Sequence, residues 1–182
     1  VGQITQEADL GLGTFYLHFA TKDDIFRAVL VEGFGELSQR LETTRRAASE
    51  RHVPWWGVVR LLIAAYYAFA AEHRELFAVM CASGGADMGV GRELEEQFTR
   101  DVAEQMLSIQ HDRATGATMY PYPTQPVASA LVSALNRAVL WWMAAGEADG
   151  ARSDERQSLE ALIDTMSRFI TAALGGRLPT ES

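Results

Sequence analysis

Apolar residues recur three and four positions apart along almost the whole of the 182-residue chain, and alternating β-branched runs are nearly absent. That spacing places side chains on one face of a 3.6-residue helix rather than on one face of a pleated strand, so the chain is expected to be all-α. Leu159, Leu162, Ile163, Met166, Phe169, Ile170, Ala173 and Leu174 form such a face, within a helix predicted from about Asp154 to Leu174. A second strong amphipathic helix is predicted over Val127 to Glu147, after a loop at Ala114 to Pro126 that holds three prolines and Gly116.

Upstream, Thr21 is placed to cap a helix whose first turn carries Asp23 and Asp24, where the helix dipole favours anions. Its stripe of Ile25, Val29, Leu30, Phe34, Leu37 and Leu41 predicts a long helix reaching Glu50. Pro54 suits the first turn of the next, which runs to about Glu72, is apolar around most of its circumference, and is therefore expected to be central. Shorter helices are predicted from Arg74 to Ala82 and, after the loop Ser83 to Val90, through Leu94, Phe98, Val102, Met106 and Ile109.

With 48 % apolar and 22 % charged residues the chain lies far from the composition of disordered proteins. The longest unbroken apolar run, Leu61 to Ala71, is too short for a hydrocarbon core that needs about 20 residues, so no membrane span is expected. No leader peptide is legible, and the single cysteine, Cys81, forms no internal disulfide, which points to a reducing, cytoplasmic setting. The balance of 16 basic against 24 acidic residues does not by itself advertise nucleic-acid binding.

Enzyme motifs are missing. His18, His52, His73 and His111 show no metal-ligand spacing, and Ser83-Gly84-Gly85 is not followed by the Lys-Ser/Thr of a phosphate loop. His111-Asp112 and Glu95-Glu96 are neighbours in sequence rather than on one helix face, which favours solvated surface for both. No catalytic activity, metal or cofactor is expected.

The first 25 residues carry the most specific pattern. Two short helices, Val1 to Ala8 and Leu12 to Phe19, flank a turn containing Gly11, a helix-turn-helix whose second helix fits a major groove about 12 Å wide. Thr14, Tyr16, His18 and Lys22 offer polar groups suited to phosphates, while Leu10, Phe15 and Phe19 are placed to face inward.

The segment Ala8-Asp9-Leu10-Gly11-Leu12-Gly13-Thr14-Phe15-Tyr16-Leu17-His18-Phe19-Ala20-Thr21-Lys22-Asp23-Asp24-Ile25 resembles the TetR family of bacterial one-component transcriptional regulators. That family carries an Ala-Gly-Val-Ser-like turn, then Gly-Thr-x-Tyr-x-His-Phe, then Ser-Lys-Glu-x-Leu. Two positions depart from the pattern: Asp9 stands where Gly is common, and Gly11 where a capping Ser is common.

The resemblance implies a DNA-binding module over residues 1–47, ending in a connecting helix, and a ligand-binding and dimerisation domain over 48–182. It also implies a bracing helix ahead of Val1, expected upstream of the sequence given. The DNA contacts it implies are Gly11, Leu12, Gly13, Thr14, Tyr16, Leu17, His18 and Lys22. Dimerisation through the last two helices is implied as well, with Leu131, Leu135, Val139, Leu159, Leu162, Ile163, Met166, Phe169 and Ile170 as the expected interface.

An effector cavity is expected where aromatic and sulfur side chains concentrate, at Tyr66, Phe69, Phe77, Met80, Cys81, Phe98, Met106 and Trp142, a lining suited to a small apolar or aromatic molecule. Together these readings predict a homodimeric repressor that binds a palindromic double-stranded operator and is released by that effector. The competing expectation is a helical small-molecule-binding or protein-interaction module whose DNA-binding head is degenerate.

Overall fold

The computed structural model describes residues 21–83, 89–111, 124–147 and 158–174, with the side chains at 83, 89–90, 106–111 and 145–147 outside that description. Nearly all described residues belong to six α-helices, and no strand is among them. These are α1 (Lys22–Glu50), α2 (Trp55–Glu72), α3 (Arg74–Ser83), α4 (Gly89–His111), α5 (Thr124–Glu147) and α6 (Leu159–Ala173). The short helices expected before Thr21 lie outside the described residues.

Helix α1 starts where its caps dictate. The Asp24 amide donates to Thr21 Oγ1 at 3.2 Å and the Thr21 amide donates to Asp24 Oδ2 at 2.8 Å, a reciprocal capping box that satisfies two otherwise orphaned donors. The helix then runs unbroken for 29 residues, about 43 Å at 1.5 Å per residue, and crosses the expected 47/48 division without interruption. Leu30, Leu37 and Leu41 are buried as expected, but Val29 of the expected stripe is exposed, because the packed face turns toward Phe26, Leu30 and Gly33 instead.

At the end of α1, His52 adopts a φ of 53° and its amide donates to Ser49 O at 2.9 Å, reversing the chain before Pro54 enters α2. A left-handed residue there strains any side-chain-bearing residue, and histidine tolerates it better than a β-branched one. The tight turn brings Val53 against Gly57, where a Cβ would lie 2.7 Å from Val53 Cγ1, so a larger residue there would force Val53 to shift.

Helix α2 is the hub. Val58, Val59, Ile63, Tyr66, Tyr67, Phe69 and Ala70 are buried around its circumference, and it packs on α1, α3, α5 and α6. A helix apolar on nearly all sides has to be enclosed by others. Helix α5 leans mainly on α4, and α6 mainly on α2, so α5 and α6 meet over only a short stretch.

Three boundaries differ from the sequence expectation. Helix α5 begins at Thr124 rather than Val127, with Pro126 tolerated in a first turn whose amides need no intrahelical partner. Helix α6 begins at Leu159 rather than Asp154, because Ser158 is its N-cap and accepts from the Ala161 amide at 3.1 Å. The expected loop from Ser83 to Val90 is shorter, with α3 extending to Ser83 and α4 starting at Gly89.

Ion pairs tie the rim of the bundle. Arg60 of α2 donates to Asp164 of α6 at 3.0 Å and also to Glu160, while Arg40 of α1 meets Glu72 of α2 at 2.7 Å. These partners are partly exposed, and such pairs contribute about 0–1 kcal/mol each. The core contributes far more. Phe77→Ala should cost about 3–5 kcal/mol in urea unfolding, because its ring is 1 % exposed and leaves a cavity. Arg60→Ala should cost about 1 kcal/mol or less in the same measurement.

Candidate functional site

The five helices α1 to α5 converge on one aromatic centre. Tyr66 of α2 meets Phe77 of α3 edge to face, with ring centroids 5.6 Å apart, and Phe98 of α4 at 6.2 Å. Phe34 of α1 closes on Phe98 at 5.8 Å. Between these rings lies a cavity of about 10 Å³ lined by Phe34, Tyr66, Phe77, Met80, Cys81, Glu95, Phe98, Val132 and Asn136. That is room for about one water, whereas small-molecule pockets run to roughly 300–1,000 Å³. The described conformation is therefore closed.

Its polar groups are few and placed. The Tyr66 hydroxyl donates to Asn136 Oδ1 of α5. Burial pushes the Tyr66 phenol well above its ordinary value and the Cys81 thiol up to about 12, with the nearby Glu95 charge adding to both. The Glu95 carboxyl is itself held above the usual carboxylate range by desolvation, reinforced by its neighbour Glu96. Among the described residues no cation pairs with Glu95.

Five of the residues expected to line a cavity come together here: Tyr66, Phe77, Met80, Cys81 and Phe98. Phe69 does not. It is fully buried one turn along α2 from Tyr66, edge to face with Phe77 at 6.5 Å, beside His73 at 4.9 Å and beneath the Arg40 guanidinium at 5.6 Å. Trp142 is likewise elsewhere, packed under the Arg74 guanidinium at 5.9 Å, where Arg74 also donates to Met143 O at 2.9 Å near the end of α5. The side chains of Met106 and His111 lie outside the described residues. His73 closes α2 and faces Glu36 Oε1 at 3.3 Å, away from the cavity.

Sequence reasoning missed Phe34, Val132, Asn136 and Glu95 as lining. Glu95 corrects a specific expectation: read with Glu96 as solvated surface, it is instead half-buried, while Glu96 is exposed. The available signal was its spacing of three from Phe98, which puts both on one face of α4.

A second feature lies between α5 and α6. Ala134, Arg137, Ala138, Leu140, Trp141, Ala144, Thr165, Met166 and Phe169 line an open groove of about 810 Å³. Trp141 and Phe169 are 58 % and 55 % exposed. Of the residues expected at an interface, only Met166 and Phe169 line this groove. Leu131, Val139, Leu162, Ile163 and Ile170 are buried in the chain's own core, and Leu135 and Leu159 pack half-buried against it. The intramolecular core takes one apolar edge of each helix and leaves Trp141 and Phe169 exposed on another.

Thr124–Ala144 of α5 is long and apolar enough to cross a membrane, with a mean hydropathy of 1.3, although Leu61 to Ala71 of α2 is the longest unbroken apolar run. Ala128, Leu131, Val132, Val139 and Met143 of α5 are core residues, yet only 28 % of the spanning stretch is buried.

Of the expected DNA contacts, Gly11, Leu12, Gly13, Thr14, Tyr16, Leu17 and His18 lie outside the described residues. Lys22 is exposed at the first position of α1, directly after the Thr21 cap. Among the described residues no group of three His, Cys, Asp or Glu side chains could hold a metal ion.

A thiol with its pKa at about 12 is almost wholly protonated at pH 8, and the thiolate is the reactive form. Cys81 should therefore react with a disulfide reagent at pH 8 at least roughly a hundredfold more slowly in the native protein than in urea, as followed by released thiolate absorbance. Comparable rates would mean that the α3 wall opens freely. No family model matches the chain, and no curated protein matches it.

Proposed function

We propose that the chain is a ligand-responsive transcriptional repressor of the TetR kind, binding a palindromic operator as a homodimer and released by a small apolar or aromatic effector. The observation that carries this reading is that the aromatic cavity and the long helix α1 share their packing. Phe34 of α1 lines the cavity, and Gly33 beside it lies so close to α3 that a Cβ there would stand 2.9 Å from Met80 Sδ. Met80 lines the same cavity.

A molecule entering a space of about 10 Å³ has to displace part of its lining, which includes Phe34 and Met80. Because Phe34 belongs to α1 and Met80 packs against Gly33 of the same helix, such a displacement bears on α1. Lys22 lies twelve residues from Phe34, about 18 Å along the helix, so a tilt of about 10° carries that end roughly 3 Å. Two recognition helices have to sit about 34 Å apart to occupy successive major grooves, and a shift of that size disfavours the bound state. The Gly13-Thr14-Phe15-Tyr16-Leu17-His18-Phe19 pattern, immediately ahead of this lever, supports DNA as the target.

The groove between α5 and α6 supports a second copy of the chain as partner. Ala134, Ala138 and Ala144 allow close helix approach, and Trp141 and Phe169 supply large apolar area that a two-fold contact buries twice. Homodimerisation also explains why α5 is so apolar and so little buried.

Two experiments test the reading. In the full-length protein, binding to an operator selected from random duplexes should weaken on Lys22→Ala similarly across sequences, and the salt slope should fall by roughly 0.9 for each phosphate that is no longer neutralised. Absence of any sequence-selective binding by the full-length protein would overturn the repressor reading and leave a helical ligand-binding module. In sedimentation, the protein should be a dimer at micromolar concentration and Phe169→Glu should weaken it by at least about tenfold, or 1.4 kcal/mol. A wild-type monomer sinks the dimeric operator.

A further inference from the structure

Glu95 is the anomaly of the aromatic cavity. The other walls are Phe34, Tyr66, Phe77, Met80 and Phe98 with small or neutral neighbours, and the Tyr66 hydroxyl and Asn136 carbonyl oxygen already satisfy one another. The Glu95 side chain is half-buried among them. Its helix offers it no counter-charge: Arg92 lies 3.8 Å from Glu96, Arg100 donates to Gln97, and the Thr99 hydroxyl donates to the Glu95 backbone oxygen rather than to the carboxylate. The groups facing it from α2 and α3 are the Tyr66 phenol and the Cys81 thiol, neither of which is a cation.

Resting on the reading of this cavity as an effector site, we propose that its ligand is a lipophilic organic cation, an aromatic amine or quaternary ammonium compound held between Glu95 and the faces of Phe34, Tyr66 and Phe98. A neutral ligand filling the cavity would take water from a half-buried, unpaired carboxylate without replacing it, which is costly. An anion would meet that carboxylate directly. A cation neutralises it and gains attraction from the ring faces, stronger in a desolvated site than at a surface. A metal ion lacks the ligands it needs, since no group of three His, Cys, Asp or Glu side chains occurs among the described residues.

Three probes with one ring separate these cases: (1-naphthylmethyl)trimethylammonium, 1-naphthalenemethanol and 1-naphthylacetate, titrated calorimetrically at pH 7.5. The ammonium should bind the wild-type protein at least roughly tenfold more tightly than the alcohol, with the acetate weakest. Glu95→Gln should bring ammonium and alcohol within about twofold of each other while the alcohol binds as before, which also shows that the variant is folded. Glu96→Gln, altering the outward neighbour, should preserve the preference. Equal wild-type affinities for ammonium and alcohol, or a preference that survives Glu95→Gln, overturn the cation proposal and leave the effector cavity standing. Failure of all three probes to bind the wild-type protein up to millimolar concentration overturns both.

Discussion

The fold depends on enclosing α2. Tyr67 and Phe69 are fully buried and Tyr66 nearly so, and each large aromatic side chain removes roughly 150–250 Å² from water. Burying two tyrosines creates an obligation, because a phenol without a partner in that setting costs about 1–3 kcal/mol. Both obligations are met on α5: Tyr66 donates to Asn136, and the Tyr67 hydroxyl lies 3.4 Å from the backbone oxygen of Leu135, the adjacent residue. Consecutive residues of the hub thus fix consecutive residues of α5. Apolar burial brings the helices together, and these two polar contacts set the rotation of α5 about its axis.

That rotation decides what α5 leaves outside. With Leu131, Val132, Val139 and Met143 turned inward, Ala134, Ala138 and Trp141 have to face away, and the adjacent tryptophans separate: Trp142 packs beside Arg74 while Trp141 stands at the groove. Helix α6 is held from the other side, by α2 and by the Arg60 clamp to Glu160 and Asp164, so it does not close over α5. The groove is a consequence of two helices anchored to different partners.

The helices themselves were legible in the sequence because a three-and-four spacing and a few caps are local properties. Thr21 followed by Asp24 announces the start of α1, and Pro54 the start of α2. Which edge of an amphipathic helix is buried was not legible for α5 and α6, since both edges are apolar and the contacts made by the buried one, such as those of Tyr66 and Tyr67 with α5, join residues far apart in the chain. The cavity was half legible. Tyr66, Phe77, Met80, Cys81 and Phe98 share a type that suggests a lining, but Phe69, of the same type and one turn from Tyr66, packs against the back of that lining at Phe77 and beneath Arg40. Glu95 was hidden by its neighbour: two adjacent carboxylates read as surface, and only the cover supplied by α2 and α3 turns one of them inward.

The closed state of the cavity bears on how a switch could operate. A ligand shifts a conformational equilibrium only by its difference in affinity for the two states. A pocket already open in both would bind tightly and signal nothing. Here the volume is only about 10 Å³, so a ligand has to move part of the lining, to which Phe34 of α1 belongs. The same coupling lowers apparent affinity by the fraction of molecules that open unaided. An unpaired carboxylate in the wall offsets part of that loss for a cation specifically, because the charge is costly in the closed state and satisfied in the occupied one. Selectivity and switching would then arise from one feature: a nearly filled aromatic cavity with a carboxylate, Glu95, in its wall.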